Sequence, residues 1–198
     1  PGVSSREEEQ NMPRWQRKMP AGPVADVTGW IIGVDKPVLA ALHGPVMGAG
    51  LAFALACDRR FAEPDTIMCA AMVRLGFAPD CGVSWLLPRI TSRSTALRMV
   101  TTGDILGAEE CVQEGLIDEL VEEGQALTRA KEYAKKFAHG PSVAVDLARR
   151  FVHKSLTAKL DEMIEYEAVA AVLSAHTHDA PEGTAAFVEK RKPKFKGH

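Results

Sequence analysis

Three glycines, Gly44, Gly48 and Gly50, form the first segment able to do chemistry without a reactive side chain. They stand between a short apolar run and a run of small apolar residues. Glycines there let backbone N–H groups approach a ligand, and a helix that starts at such a turn favours negative charge at its N-terminus. Asp80, inside Pro79-Asp80-Cys81-Gly82, is the carboxylate best placed in the sequence to move a proton. The same four residues also make a good turn in their own right. His43 opens the glycine turn and could hydrogen-bond near a ligand, although a histidine at a strand end also serves structure. His176-x-His178 has the spacing of a metal pair but lacks an evident third ligand. Cys57, Cys69, Cys81 and Cys111 are scattered among apolar residues with no C-x-x-C pair, which suits reduced core thiols. No metal is expected.

The elements that must hold these residues follow from periodicity. Val24, Val27, Trp30 and Ile31 predict an amphipathic helix, and Val38 to Leu42 predicts a buried strand. The glycine turn follows, then Leu51 to Cys57, apolar on every side and therefore a buried helix. Arg59 to Ala62 predicts a second strand, so the unit reads strand, glycine turn, buried helix, strand. A helix is expected around Ser94 to Thr101, another from Ala108 to Glu114 with Gly115 as its stop, and a strand over Leu116 to Val121. Helical faces recur at Leu127, Ala130, Ala134 and Phe137, at Ala144, Leu147, Ala148, Phe151 and Val152, and again from Leu160 to Ala175. Residues 1–23 read as a connecting segment, 24–125 as an α/β core and 126–198 as a helical region.

Composition excludes several classes. The chain has 198 residues, 46% hydrophobic and 25% charged, with a formal net charge of −2. That is ordinary globular composition with no general attraction to nucleic acid or an anionic membrane. The longest apolar run, Gly48 to Cys57, is about half the ~20 residues needed to cross a bilayer. A cytoplasmic protein with neither a membrane nor a nucleic-acid partner is expected. Gly44-x3-Gly48-x-Gly50 also resembles the nucleotide turn of short-chain dehydrogenases. Their Tyr-x3-Lys pair is missing, because Tyr133 and Tyr166 are followed at that distance by Phe137 and Ala170.

Four blocks in order carry a stronger resemblance. They are Lys36 through Asp58 around the glycine turn; Leu75-Gly76-Phe77-Ala78-Pro79-Asp80-Cys81-Gly82 running into Trp85-Leu86-Leu87-Pro88-Arg89; Thr102-Gly103-Asp104 before Ala108 to Ile117; and Glu182-Gly183 through Arg191. This set closely resembles the enoyl-CoA hydratase/isomerase (crotonase) superfamily over about Val34 to His198. The second block is most similar to isomerases of the phenylacetate pathway. The resemblance implies an α/β crotonase-like ββα spiral core with a C-terminal helical trimerisation region. It also implies that the N-terminal part of that fold is missing from this chain.

The resemblance further implies an acyl-CoA thioester whose carbonyl oxygen is held by two backbone N–H groups, so that the enolate is stabilised as it forms. One donor matches Ala49, with Gly48 and Gly50 leaving room for the thioester. The other comes, in the family, from a Gly-Ala-Asp-like turn upstream, which these residues do not contain. Family hydratases activate water with two glutamates whose positions fall here on Ala52 and Met72, so isomerisation through Asp80 is expected instead. Phe77, Cys81 and Trp85 are expected to shield that carboxylate from water. Met72 and Trp85 are expected to line the substrate. Asp80 also matches the nucleophile of a dehalogenase branch, which stacks its substrate on a tryptophan where this chain has Met72. Phe187 and Lys190 match positions that reach the adenine and phosphate end of CoA. No cofactor is implied beyond coenzyme A as part of the substrate, and a homotrimer or hexamer is. A non-catalytic acyl-CoA binder or assembly partner is the second function class left open.

Overall fold

The computed structural model describes residues 26–198. The expected connecting segment 1–23 lies outside them, as does Val24. Helix α1 (Val27–Gly33) leads to strand β1 (Leu39–Leu42), β2 (Pro45–Met47), α2 (Ala49–Ala56), β3 (Arg59–Ala62) and β4 (Ile67–Cys69). A short 3₁₀ turn (Ala71–Leu75) precedes α3 (Val83–Ile90), α4 (Arg93–Thr102), β5 (Ile105–Gly107), α5 (Ala108–Gln113) and β6 (Glu119–Leu120). Four helices complete the chain: α6 (Ala126–Ala138), α7 (Ser142–Ser155), α8 (Leu160–Ala175) and α9 (Asp179–Val188).

Two small sheets frame the core. One has the order β1-β3-β6 with every pairing parallel, and Leu39 stands opposite Arg59. The other has the order β2-β4-β5, parallel between β2 and β4 and antiparallel between β4 and β5. Between consecutive strands of the first sheet runs α2, which is apolar on all sides and buries Leu51, Ala52, Ala54, Leu55 and Ala56. A parallel crossover of this kind needs its helix covered from both sides. Here α1 and α3 provide that cover. Phe61, Met68, Leu87, Met99, Leu106 and Leu116 complete a core that water does not reach.

Several expectations shift. The strand expected over Leu116 to Val121 contracts to Glu119–Leu120, because the N–H groups of both Leu116 and Ile117 turn back to the Cys111 carbonyl, at 2.8 and 3.1 Å, and finish α5. Strands β2, β4 and β5 have three residues each, too few to show an alternating pattern. Helix α3 carries Pro88 in its interior, which argues against a helix in sequence alone. Its buried face of Val83, Leu86 and Leu87 overrides that cost.

The C-terminal helices are joined to the core at two places. Helix α6 packs across β1 and β3, with the Tyr133 ring 5.5 Å from Phe61 and 5.6 Å from Phe137. On α7, the buried Arg149 donates to both carboxylate oxygens of Asp58, at 2.8 and 2.7 Å. The same guanidinium donates to the carbonyls of Ile31, Ile32 and Val34 at the end of α1. Asp58 in turn accepts the Val38 N–H at 2.6 Å. One ion pair thus ties α7 to the ends of α1 and α2 and to the entry of β1.

Candidate active site

Gly48 sits at the junction of β2 and α2 with φ 56° and ψ −123°, a conformation that only glycine adopts readily. Its N–H donates to the Cys69 carbonyl at 3.1 Å, and its carbonyl accepts the Ala52 N–H at 3.3 Å. The chain therefore reverses from strand to helix within one residue. The N–H groups of Ala49 and Gly50, in the first turn, have no partner within the helix. A β-carbon on Gly48 or Gly50 would meet no heavy atom within 4 Å, so the space beside this turn is open. Backbone donors, a helix N-terminus and open space together can hold an oxygen that gains negative charge.

The side chains around the turn are mostly apolar. Ala52 is fully buried and Met72 is 8% exposed, both in the core beside Leu51 and Leu86. Asp80 lies in the loop between the 3₁₀ turn and α3, and its residue is exposed. Phe77 is also exposed, so the dry setting expected for Asp80 is not present, and that expectation is corrected. Of the three residues expected around Asp80, Cys81 is buried and Trp85 half-buried. Cys81 sits in the left-handed region at φ 50°, and its carbonyl accepts the Thr28 hydroxyl from α1. Burial pushes the Cys81 thiol up, and hydrogen bonding to Asp80 and the charge of that carboxylate add to the shift. Left-handed backbone in a residue other than glycine or asparagine is uncommon and costs energy. Gly82 continues it at φ 80°, where a β-carbon would stand 3.2 Å from Thr28 Cγ2. The loop carrying Asp80 is therefore clamped by α1.

Trp85, half-buried on α3, packs against the same core as Ala49 and Phe53. The Arg89 guanidinium lies 4.0 Å from the centre of its indole, and Arg89 Nη1 donates to the Trp85 carbonyl at 2.9 Å. The structure thus gathers the glycine turn, Met72, Cys81 and Trp85 around one core, with Asp80 on the rim. Phe187 and Lys190 are elsewhere. Phe187 is 86% exposed and lines a cavity of about 460 Å³ with Phe195, Pro141 and Asp179, in which no residue of the glycine turn takes part. Lys190 follows α9 with φ 56°. His43 is exposed at the end of β1.

Sequence reasoning missed Thr28, which lies in a helix read only as amphipathic and whose partners, Cys81 and Gly82, are more than fifty residues away. The cysteines are not disulfide-bonded. Burial pushes the Cys57 thiol up to about 11 and the Cys111 thiol up to about 12. Among the described residues no group of three His, Cys, Asp or Glu could hold a metal ion. Among them, too, no helix is long and apolar enough to cross a membrane.

Comparison with known proteins decides the family. The model of the enoyl-CoA hydratase/isomerase family matches residues 2–198. The chain belongs to the enoyl-CoA hydratase/isomerase family. It is 33% identical to the 1,2-epoxyphenylacetyl-CoA isomerase of Escherichia coli K12, over 83% of this chain and 63% of that protein. It is 32% identical to the crotonyl-CoA hydratase of Syntrophomonas wolfei, over 83% of this chain and 64% of that protein. The crystal structure of an enoyl-CoA hydratase from Bacillus anthracis superposes with a TM-score of 0.86 at 28% identity, over 98% of this chain and 75% of that one. The crotonase-like α/β fold expected from the sequence is therefore the fold of the described residues. The chain spans a little under two thirds of the length of these two curated relatives.

Proposed function

We propose that this family member binds an unsaturated acyl-CoA and moves its double bond through an enolate, with Ala49 N–H as one oxyanion donor and Asp80 as the proton carrier. In this mechanism the carboxylate takes a proton from the acyl chain. Electrons then shift onto the thioester oxygen, and the same group returns the proton further along the chain. One observation carries the reading: a left-handed glycine presents unpartnered helix N–H groups to open space, while the two positions where family hydratases keep glutamates hold the buried, inert side chains of Ala52 and Met72. Without those carboxylates, water activation by a glutamate pair has no basis. Phe187 and Lys190 are proposed to meet the adenine and phosphates of CoA, for which an exposed aromatic ring and a lysine are suited.

Association is part of the proposal. Leu160, Ile164, Val169, Val172 and Leu173 leave α8 largely exposed along its length, which supports a trimer or a dimer of trimers packed through it. A second reading, an acyl-CoA binder without turnover, is favoured by the exposure of Asp80.

The deciding experiment uses Asp80→Asn, which keeps size and turn geometry but cannot accept the proton. Isomerase turnover is expected to fall by ~10²–10⁴-fold with CoA-ester affinity and melting temperature retained. Unchanged turnover would place the base elsewhere. No turnover in the unsubstituted chain, with CoA-ester binding intact, would favour the binder.

A further inference from the structure

Helices α3 and α7 line opposite sides of an open cavity of about 610 Å³ and, among the described residues, do not pack on one another. Helix α7 supplies Val145, Ala148 and Val152, whose spacing puts them on one face. Trp85, Leu86 and Ile90 of α3 stand across from them. Val152 is 68% exposed, so this apolar wall is wet and gains by being covered. The cavity lies at the C-terminal end of α2, beside Cys57 and Asp58, and neither the glycine turn nor Asp80 takes part in it. It is separate from the site described above.

Charge in this cavity is one-sided. Arg60, Arg89, Arg149 and His153 line it against the single carboxylate of Asp58. Arg60 and Arg149 are already engaged, donating to Asp118, Asp58 and backbone carbonyls. Arg89 differs. It is exposed and held 4.0 Å from the centre of the Trp85 indole. Among the described residues its guanidinium makes one hydrogen bond, from Nη1 to the Trp85 carbonyl at 2.9 Å. An oriented cation with N–H groups to spare thus stands at the edge of an apolar cleft.

We infer that the cavity binds a free medium-chain carboxylate, with its tail between α3 and α7 and its head group on Arg89. The inference goes beyond the acyl-CoA reading and does not rest on it. The volume lies within the range of small-molecule sites, which are mostly apolar with a few placed polar groups. A tail laid between two helices that do not touch takes apolar surface of both out of water. The guanidinium fork suits a carboxylate, which accepts two parallel N–H bonds from it. A bound molecule would join α7 to the core at a second place, next to the Asp58–Arg149 pair, so occupancy should raise the melting temperature.

Calorimetric titration of the 198-residue chain with decanoate tests this. Saturable binding is expected, with octanoate roughly tenfold weaker because two buried methylenes are lost. Ala148→Phe, at an exposed position on the cavity wall, should fill the cleft and abolish binding while the melting temperature of the unliganded chain is retained. Arg89→Gln should weaken decanoate by about fivefold. Ile164→Ala, on the exposed face of α8, should leave the affinity within about twofold. No saturable binding, or binding that survives Ala148→Phe, would overturn the proposal, and unchanged affinity in Arg89→Gln would overturn the place of the head group. Crotonyl-CoA at saturation should not compete; displacement of decanoate by it would assign the cavity to the thioester site and overturn a separate one. Loss of decanoate binding as the chain self-associates would assign the cavity to a second copy instead.

Discussion

Helices α2 and α8 are alike as sequences and opposite as structures. Each is apolar on more than one side, with no clean polar stripe. In α2, five of eight residues are buried, whereas α8 buries Met163 and Ala170 among sixteen. The difference lies in their surroundings. Helices α1 and α3 and strand β2 close around α2, so its apolar character is spent inside the chain. Helix α8 packs on α7 and α9 and offers the rest of its surface outward. Apolar composition thus says that a helix will be covered, and only the packing says whether the same chain covers it.

Three measurements would break or sharpen that contrast. The largest effect is expected where the two regions are joined. Arg149→Met removes the guanidinium paired with Asp58, leaving that carboxylate to the Val38 N–H and His153, and takes the side-chain donor from the carbonyls of Ile31, Ile32 and Val34 at the end of α1. Losing one member of a buried ion pair costs about 3–5 kcal/mol, to be read from denaturant unfolding. A loss under about 1 kcal/mol would mean that the helical region is not held by this pair.

The second test sets the two helices side by side. Leu51→Ala in α2 deletes a fully buried side chain and should cost about 2–5 kcal/mol. Ile164→Ala in α8, at an exposed position, should change the unfolding free energy of the monomer by less than about 0.5 kcal/mol. If α8 forms a contact between copies, the same change should weaken association in analytical ultracentrifugation. Equal stability losses for the two variants in the monomer would erase the contrast.

The smallest effect concerns the tail after α9. Glu182 accepts the Arg191 guanidinium and the Lys194 N–H, and these bonds, the arginine's first, pull its carboxyl down to about 2. A depressed carboxyl stabilises the folded form above its ordinary range, near pH 4.3, and loses that contribution as pH falls toward 2. Asp179, lowered by the N–H groups of Lys196 and Gly197 against the opposing effect of burial, acts in the same direction. The protection factors of the amides in residues 191–198, taken relative to the slower intrinsic exchange at lower pH, should therefore fall between about pH 4.5 and 2 ahead of those in α2. Simultaneous exchange of both would show that the tail is not a separate unit.

Parts of the site were legible before any coordinates. Gly48 and Gly50 stood out because a turn between an apolar run and a small-residue helix needs glycine, and the structure places Gly48 in a backbone region that demands it. Asp80 was legible as a carboxylate in a turn, but its exposure was not, because Phe77 and Trp85 are near it in sequence and only Trp85 turns inward. Thr28 was hidden. Its meaning depends on Cys81 and Gly82, and contacts across that separation leave no periodic trace.

The sequence alone determined the local grammar: which runs are helical, where glycine must bend the chain, and which four blocks mark the family. Those features are set by backbone sterics and by burial of nearby residues, so they are written in short windows. The tertiary structure decided the rest. It shortened the strand after α5 because two N–H groups found the Cys111 carbonyl, and it kept α3 helical through Pro88 because its apolar face was needed in the core. It left α8 bare while burying α2, and it brought the Thr28 hydroxyl to the Cys81 carbonyl. Each outcome depends on which distant surface competes for the same group, and that competition exists only once the chain has closed on itself.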